Sequence, residues 1–177
     1  YDTVKTMSEK NLFREFLRIN DLNVPKFGNY SSKEEVRSHF DEFSLPVIIK
    51  PVDSSGSKGV SVINNIDDVD AAIEFALSKS RCKRFIIEEF IEPIGHQLHG
   101  DGFVENGKIV FLCLGDHHFD SSINNLVPYS TTFPSQHSSE EIQQCLEQIQ
   151  FFISKVGFKN GGFNVELRIS KRDKKAY

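Results

Sequence analysis

Apolar positions along the chain recur with two different periods, and the changes of period mark out the elements. Leu12, Phe13, Phe16 and Leu17 fall at helical spacing behind Ser8, a residue suited to cap a helix start, and Asn20 is a natural stop. A second helix is expected from Ser32, with Glu35 as its capping-box partner and Val36, Phe40 and Phe43 on the inner face, ending at Pro46. Val47–Lys50 and Gly59–Ile63 are β-branched runs, so they read as two strands joined by the flexible segment from Asp53 to Gly59. Val69, Ala72, Ile73, Ala76 and Leu77 line one face of a third helix, and an apolar strand follows from Arg84 to Ile91.

Two further strand-like runs, His96–Val104 and Lys108–Leu114, flank Glu105-Asn106-Gly107. Asn-Gly between such runs signals a hairpin, because both residues tolerate the positive φ of a type I′ turn. The polar stretch from His117 to His137 predicts a long loop with a short strand near Leu126 to Tyr129. Ser138 and Glu141 then open a long amphipathic helix through Ile142, Cys145, Leu146, Ile149, Phe152, Ile153 and Val156, which stops at Gly157. Beyond Gly161-Gly162, Phe163 to Ile169 alternates strictly, with Asn164, Glu166 and Arg168 on one face and Val165, Leu167 and Ile169 on the other. This order, without internal repeats, predicts an α+β fold with antiparallel sheets.

Bulk properties narrow the function. At 177 residues the chain can bury one sizeable core or two small ones. With 21 basic and 25 acidic side chains the net charge is −4, which gives no broad attraction to nucleic acid or to anionic membrane surfaces. No apolar run approaches the roughly 20 residues of a membrane span. Three cysteines, Cys82, Cys113 and Cys145, are widely spaced and suggest neither a disulfide framework nor a zinc site, so a reducing, cytoplasmic setting is expected. Tyr1 in place of methionine and the charged close at Lys174-Lys175-Ala176-Tyr177 give the expectation of a fragment cut at both ends.

The chemistry concentrates in a few places. Ser54, Ser55, Gly56, Ser57, Lys58 and Gly59 can present backbone N–H groups, hydroxyls and an ammonium to a phosphate, although the spacing is not that of a Walker A loop and an idle surface hairpin has the same composition. Lys50 ends an apolar strand four residues earlier; it reads either as a strand-end charge reaching for water or as a second cation for the phosphate. Glu88 and Glu89 are adjacent on a strand and must face opposite ways, so one of them turns inward or into a cleft, where an adenine amino group or a lysine would partner it. Glu166 could offer hard oxygen to Mg²⁺ with Asn164 nearby, or pair with Arg168. His117-His118 have imidazoles suited to zinc, but no further histidine or cysteine lies at ligand spacing.

In order and spacing these segments resemble the ATP-grasp superfamily, particularly the ATP-binding region of carbamoyl-phosphate synthase large subunits and biotin carboxylases. The residues that carry the resemblance are Ser8-Glu9-Lys10, Val24-Pro25, Pro46 to Pro51, Ser54 to Val60, Ile87 to Ile91, Asp101 to Val104 and Gly162 to Glu166. The resemblance implies two α+β subdomains with antiparallel sheets clamping a nucleotide: a lid at 24–90, and a core from 1–23 and 91–177. It implies ATP and Mg²⁺ as cofactors, with Lys10 and Lys50 on the phosphates and the loop Ser54–Gly59 closing over them. Glu88, Glu89, Phe90 and Ile91 would surround the adenine, His96 and Gln97 would lie at the ribose position, and Glu166 would be one metal ligand. His117 would stand in the catalytic position where many relatives have a lysine, as Gln97 stands where many have a glutamate. The implied activity is ligation of small-molecule carboxylate and amine substrates through an acyl phosphate, with a homodimer left open. The alternatives are a kinase of the same superfamily and a nucleotide-binding module without catalysis. The superfamily's second acidic metal ligand and its companion asparagine would follow Tyr177, so the fragment is expected to be catalytically incomplete.

Overall fold

The computed structural model describes residues 2–123 and 126–177. Two compact units divide the chain: Tyr1–Phe16 with Val24–Phe90, and Leu17–Asn23 with Ile91–Tyr177. The expected boundaries lay at 24–90 for the lid and at 1–23 with 91–177 for the core. Residues up to Phe16 group instead with the first unit, because Lys10 donates its backbone N–H to Val52 O and Arg14 binds Glu88.

The first unit begins with α1 (Asp2–Ser8) and α2 (Lys10–Ile19) where one helix starting at Ser8 was expected. The interruption at Glu9 frees the Lys10 N–H for its 3.2 Å bond to Val52 O. β1 (Phe27–Tyr30) was not anticipated, since Gly28 and Asn29 have little strand preference. It becomes a strand by pairing with β4 (Phe85–Glu89) at the sheet edge. α3 (Lys33–Arg37) is shorter than expected, and a 3₁₀ turn at Phe40–Glu42 replaces its second half. Ser32 caps α3 through Glu35 N, and the Glu35 carboxylate accepts from Ser31 N–H and Ser31 Oγ. β2 (Val47–Pro51), β3 (Ser61–Ile63) and β4 complete an antiparallel sheet of order β1-β4-β2-β3.

Strand alternation gives this sheet two different faces. Val47, Ile49, Ile63, Phe85 and Ile87 join Val36 and Phe40 and the Val69, Ala72, Ile73 and Ala76 side of α4 (Val69–Lys79) in one buried core. Ile48, Lys50, Ile86 and Glu88 lie on the opposite face, Lys50 being diagonal to Glu88 in the β2–β4 register.

The second unit is a sheet in the spatial order Ser130–Thr132, Lys108–His118, Gln97–Glu105, Gly161–Leu167, antiparallel throughout and packed on one long helix. β5 (Gln97–Glu105) and β6 (Lys108–His118) form the expected hairpin, with Asn106 at φ 51° and Gly107 at φ 79°. The ladder slips by one residue between Phe103 and Val104. Gln150 fastens this bulge: Ile109 N–H donates to its Oε1, and its Nε2 donates to Gly107 O. The third strand, β7, is Ser130–Thr132 rather than Leu126–Tyr129, because Pro128 has no N–H to give a ladder and pairing with His118 starts only at Ser130. α5 (Ser139–Val156) has the full Ser138–Glu141 capping box and ends on Gly157 in the left-handed conformation. Its Cys145, Ile149 and Ile153 pack with Leu98, Val104, Leu114 and Leu167 of the sheet, the last from β8 (Gly161–Leu167). Among the described residues no helix is long and apolar enough to cross a membrane.

Candidate functional sites in the two units

In the first unit the site is a set of cations around one buried carboxylate. Glu88 is 3% exposed. Arg14 donates to it from Nε at 2.8 Å and from Nη2 at 3.2 Å, while Lys50 Nζ donates to Oε2 at 2.8 Å. Burial alone would raise the Glu88 pKa, but the charges and hydrogen bonds of Lys50 and Arg14 outweigh it and hold the group at about 2. Of the partners left open for an inward glutamate, lysine is the one found, joined by Arg14. Sequence reasoning missed Arg14, yet it sits one helical turn from Lys10 on the same side of α2, and that spacing was the available signal.

Lys10 and Lys50 are both held below the ordinary lysine range, first by burial and only partly restored by Glu88. Lys10 also feels Asp53 and donates to Ser54 O at the root of the loop. Three cations, Lys10, Arg14 and Lys50, thus surround a single buried carboxylate, so the cluster carries a net charge of +2 in largely desolvated surroundings. An anion placed here would gain more than it would at the surface, because the low dielectric weakens screening.

The loop beside it is held at its base and open at its tip. Asp53 accepts from Ser80 Oγ at 2.9 Å and from the N–H groups of Arg81 and Cys82, both at 3.0 Å. This clip gave no sequence signal. Ser54 Oγ donates to Lys79 O. Gly56, Ser57 and Gly59 have φ of 64°, 55° and 76°, while Ser55 and Lys58 are exposed. Farther along, Phe90 N–H donates to Pro46 O and Glu89 accepts from Ser44 N–H, so both of these residues take part in holding the β2 end of the sheet.

In the second unit, Gln97, His99, His117 and Glu166 share the sheet face turned away from α5. His99 lies directly opposite Glu166, and Gln97 directly opposite His117. The His99 and His117 rings stack with centroids 4.3 Å apart, and His117 Nε2 is 3.8 Å from Glu166 Oε1. His117 Nδ1 is hydrogen-bonded to Thr131 Oγ1 at 2.8 Å. Burial, then the neighbouring His99, lowers the His117 pKa, with Glu166 opposing; this imidazole is therefore neutral at pH 7 and is no substitute for a lysine charge. Gln97 bridges Glu166 and Arg168, giving Nε2 to Glu166 at 3.1 Å and accepting from Arg168 Nε at 2.9 Å. Arg168 also donates to Ile91 O.

His96 is not part of this face. It is exposed and meets His118 edge-on at 4.5 Å between centroids, on the side where buried Asp116 accepts from Ser135 Oγ and Gln136 N–H. His96 meets His118 whereas Gln97 meets Glu166 and Arg168, so the two do not converge.

Mg²⁺ requires mostly oxygen ligands. Among the described residues, the cluster that could hold a cation, with ligand atoms all within 4.8 Å of one another, is His99, His117 and Glu166. It offers one carboxylate and two imidazoles, a donor set that suits Mg²⁺ poorly.

Two antiparallel α+β units, one carrying a recessed cation cluster beside a glycine-serine loop, place the chain in a recognised class: it belongs to the ATP-grasp family, whose domain matches residues 43–176. That family binds ATP. Among its relatives is the formate-dependent phosphoribosylglycinamide formyltransferase of Prochlorococcus marinus (strain NATL2A), 39% identical over 80 residues, which are 43% of this chain and 21% of that protein. The carbamoyl phosphate synthase large chain, N-terminal section, of Aquifex aeolicus (strain VF5) is 22% identical over 96% of this chain and 30% of its own length. A crystal structure of the biotin carboxylase-β,γ-ATP complex from Campylobacter jejuni shares the fold, with a TM-score of 0.84 at 16% identity over 99% of this chain and 40% of that one. The chain thus spans less than a third of the length of these two curated relatives.

Proposed function

We propose that the chain is the ATP-binding part of an ATP-dependent ligase that activates a small carboxylate as an acyl phosphate for attack by an amine. The observation that carries this reading is the net charge of +2 held around Glu88 by Lys10, Arg14 and Lys50. The two lysines, already below their usual pKa range, gain most from a polyanion, and a triphosphate supplies one. An ammonium has three donors, so Lys50 can keep Glu88 and still give a hydrogen bond to a phosphate oxygen. Backbone N–H groups of Ser54–Gly59 and the exposed Lys58 would add donors over the phosphates. As the terminal phosphoryl group moves to a carboxylate oxygen, these fixed cations would offset its charge, the form that catalysis of phosphoryl transfer mostly takes.

Calorimetric titration of the chain with ATP tests the reading. Lys50→Ala is expected to weaken binding at least about tenfold, and Lys58→Ala less, because the loop backbone donors remain. Equal affinity for Lys50→Ala and the parent, with unchanged circular dichroism, would overturn it. Ligation further requires ADP release that depends on a carboxylic acid and rises with an amine; release that depends on a hydroxyl compound alone would mark a kinase.

A further inference from the structure

His99, His117 and Glu166 come from three neighbouring strands and are far apart in sequence, yet the β-ladder collects their ligand atoms within 4.8 Å of one another. Their hydrogen bonding leaves ligand positions open. Thr131 engages His117 Nδ1, which fixes the ring and turns Nε2 toward Glu166, the arrangement by which an outer hydrogen bond orients a metal-binding imidazole. His99 Nδ1 is buried and has no hydrogen-bond partner among the described residues. Its Nε2 lies 3.5 Å from the Asn164 amide, whose two hydrogens are already directed to Gly100 O at 3.2 Å and Asp101 Oδ1 at 3.0 Å. A polar ring with neither nitrogen well satisfied is costly unless a further group binds it. On Glu166, Gln97 holds Oε2 and leaves Oε1 as the atom facing His117.

We propose that His99, His117 and Glu166 form a binding site for a borderline divalent transition metal such as Zn²⁺ or Co²⁺, with Mg²⁺ disfavoured. Two imidazoles and one carboxylate match the ligand preference of these ions, whereas Mg²⁺ demands oxygen. Tetrahedral coordination at about 2.05 Å sets neighbouring ligand atoms roughly 3.3 Å apart. From a spread of up to 4.8 Å the site must close by roughly 1.5 Å, within reach of a χ rotation of the half-exposed Glu166. Three protein ligands leave a fourth position open. The site stands on its own geometry and does not depend on the nucleotide reading.

The test is titration of the nucleotide-free chain with Co²⁺, followed by visible absorption, and with Zn²⁺ and Mg²⁺ separately by calorimetry. It is done in a Cys82→Ser background, since Cys82 is an exposed thiol that would bind these ions. The expected result is one Co²⁺ per chain with intense tetrahedral bands, displaced by Zn²⁺ but not by excess Mg²⁺. His99→Gln and Glu166→Gln should each weaken Zn²⁺ binding by at least about tenfold, and His39→Gln, on the first unit, should leave it unchanged. His99 and Glu166 are the more exposed members of the cluster, so these variants keep the test open if His117→Gln does not fold. Unchanged Zn²⁺ affinity in His99→Gln, or Mg²⁺ binding as tight as Zn²⁺, would overturn the proposal. ATP affinity in the same variants reports separately on the nucleotide reading.

Discussion

Replacing Glu88 with glutamine removes one charge from a nearly closed site while keeping its shape, and the consequence is a stability difference that depends on pH. In the fold the carboxyl is held at about 2 against an ordinary 4.5. That gap corresponds to roughly 3 kcal/mol of stability at neutral pH. A depressed carboxyl pKa contributes fully above 4.5, and its contribution is lost as pH falls through the folded value near 2. At pH 3 about two-fifths should remain, and below pH 2 parent and Glu88→Gln should converge. Urea denaturation of both proteins by far-ultraviolet circular dichroism, from pH 7 down to pH 2, measures the difference directly; hydrogen exchange of the β4 amides reports whether the loss is local. The variant also leaves Lys50 and Arg14 without their anion, so Lys50 should titrate closer to neutrality than in the parent. A stability difference that stays constant across this range, or no difference at pH 7, would refute the claim that the charge of Glu88 is what holds the cluster.

Gly59 has φ of 76°, and a Cβ there would lie 2.9 Å from Lys79 Cβ and 3.1 Å from Pro51 Cγ. Gly59→Ala should cost roughly 1–3 kcal/mol in urea denaturation, and an unchanged midpoint would show that the loop base relaxes freely. Two of the three thiols, Cys82 and Cys145, should separate by accessibility. Burial, reinforced by Glu141, pushes Cys145 up to about 12, while Cys82 is exposed. At pH 8 a disulfide reagent should label Cys82 rapidly and Cys145 only on unfolding, as read by peptide mass spectrometry; equal rates would contradict the packing of α5.

Local physics made much of the fold legible. The Ser138–Glu141 box and Gly157 defined α5, and Asn106-Gly107 defined its hairpin, because capping and turn chemistry act within a few residues. β1 was invisible because its strand character comes from β4 and not from Phe27-Gly28-Asn29-Tyr30 itself. The cation cluster was half legible: Lys10 and Lys50 stood out, but the grip of Arg14 on Glu88 depends on how α2 lies across the sheet. Along the chain, His117 has no further histidine or cysteine at ligand spacing beyond its neighbour His118. Its partners are supplied by cross-strand register, which spacing along the chain does not encode.

The slip between Phe103 and Val104 therefore decides more than a local kink. Counting back from the Asn-Gly turn without it, residue numbers on paired strands would sum to one less, so Asp116 would lie opposite Gln97 and His117 would face α5. The surplus residue is Val110, whose neighbours Ile109 and Phe111 pair with Val104 and Phe103. A one-residue slip in a hairpin thus acts as a parity bit, choosing whether Asp116 or His117 lies opposite Gln97 on the face that carries Glu166, and Gln150 is the latch that keeps it set.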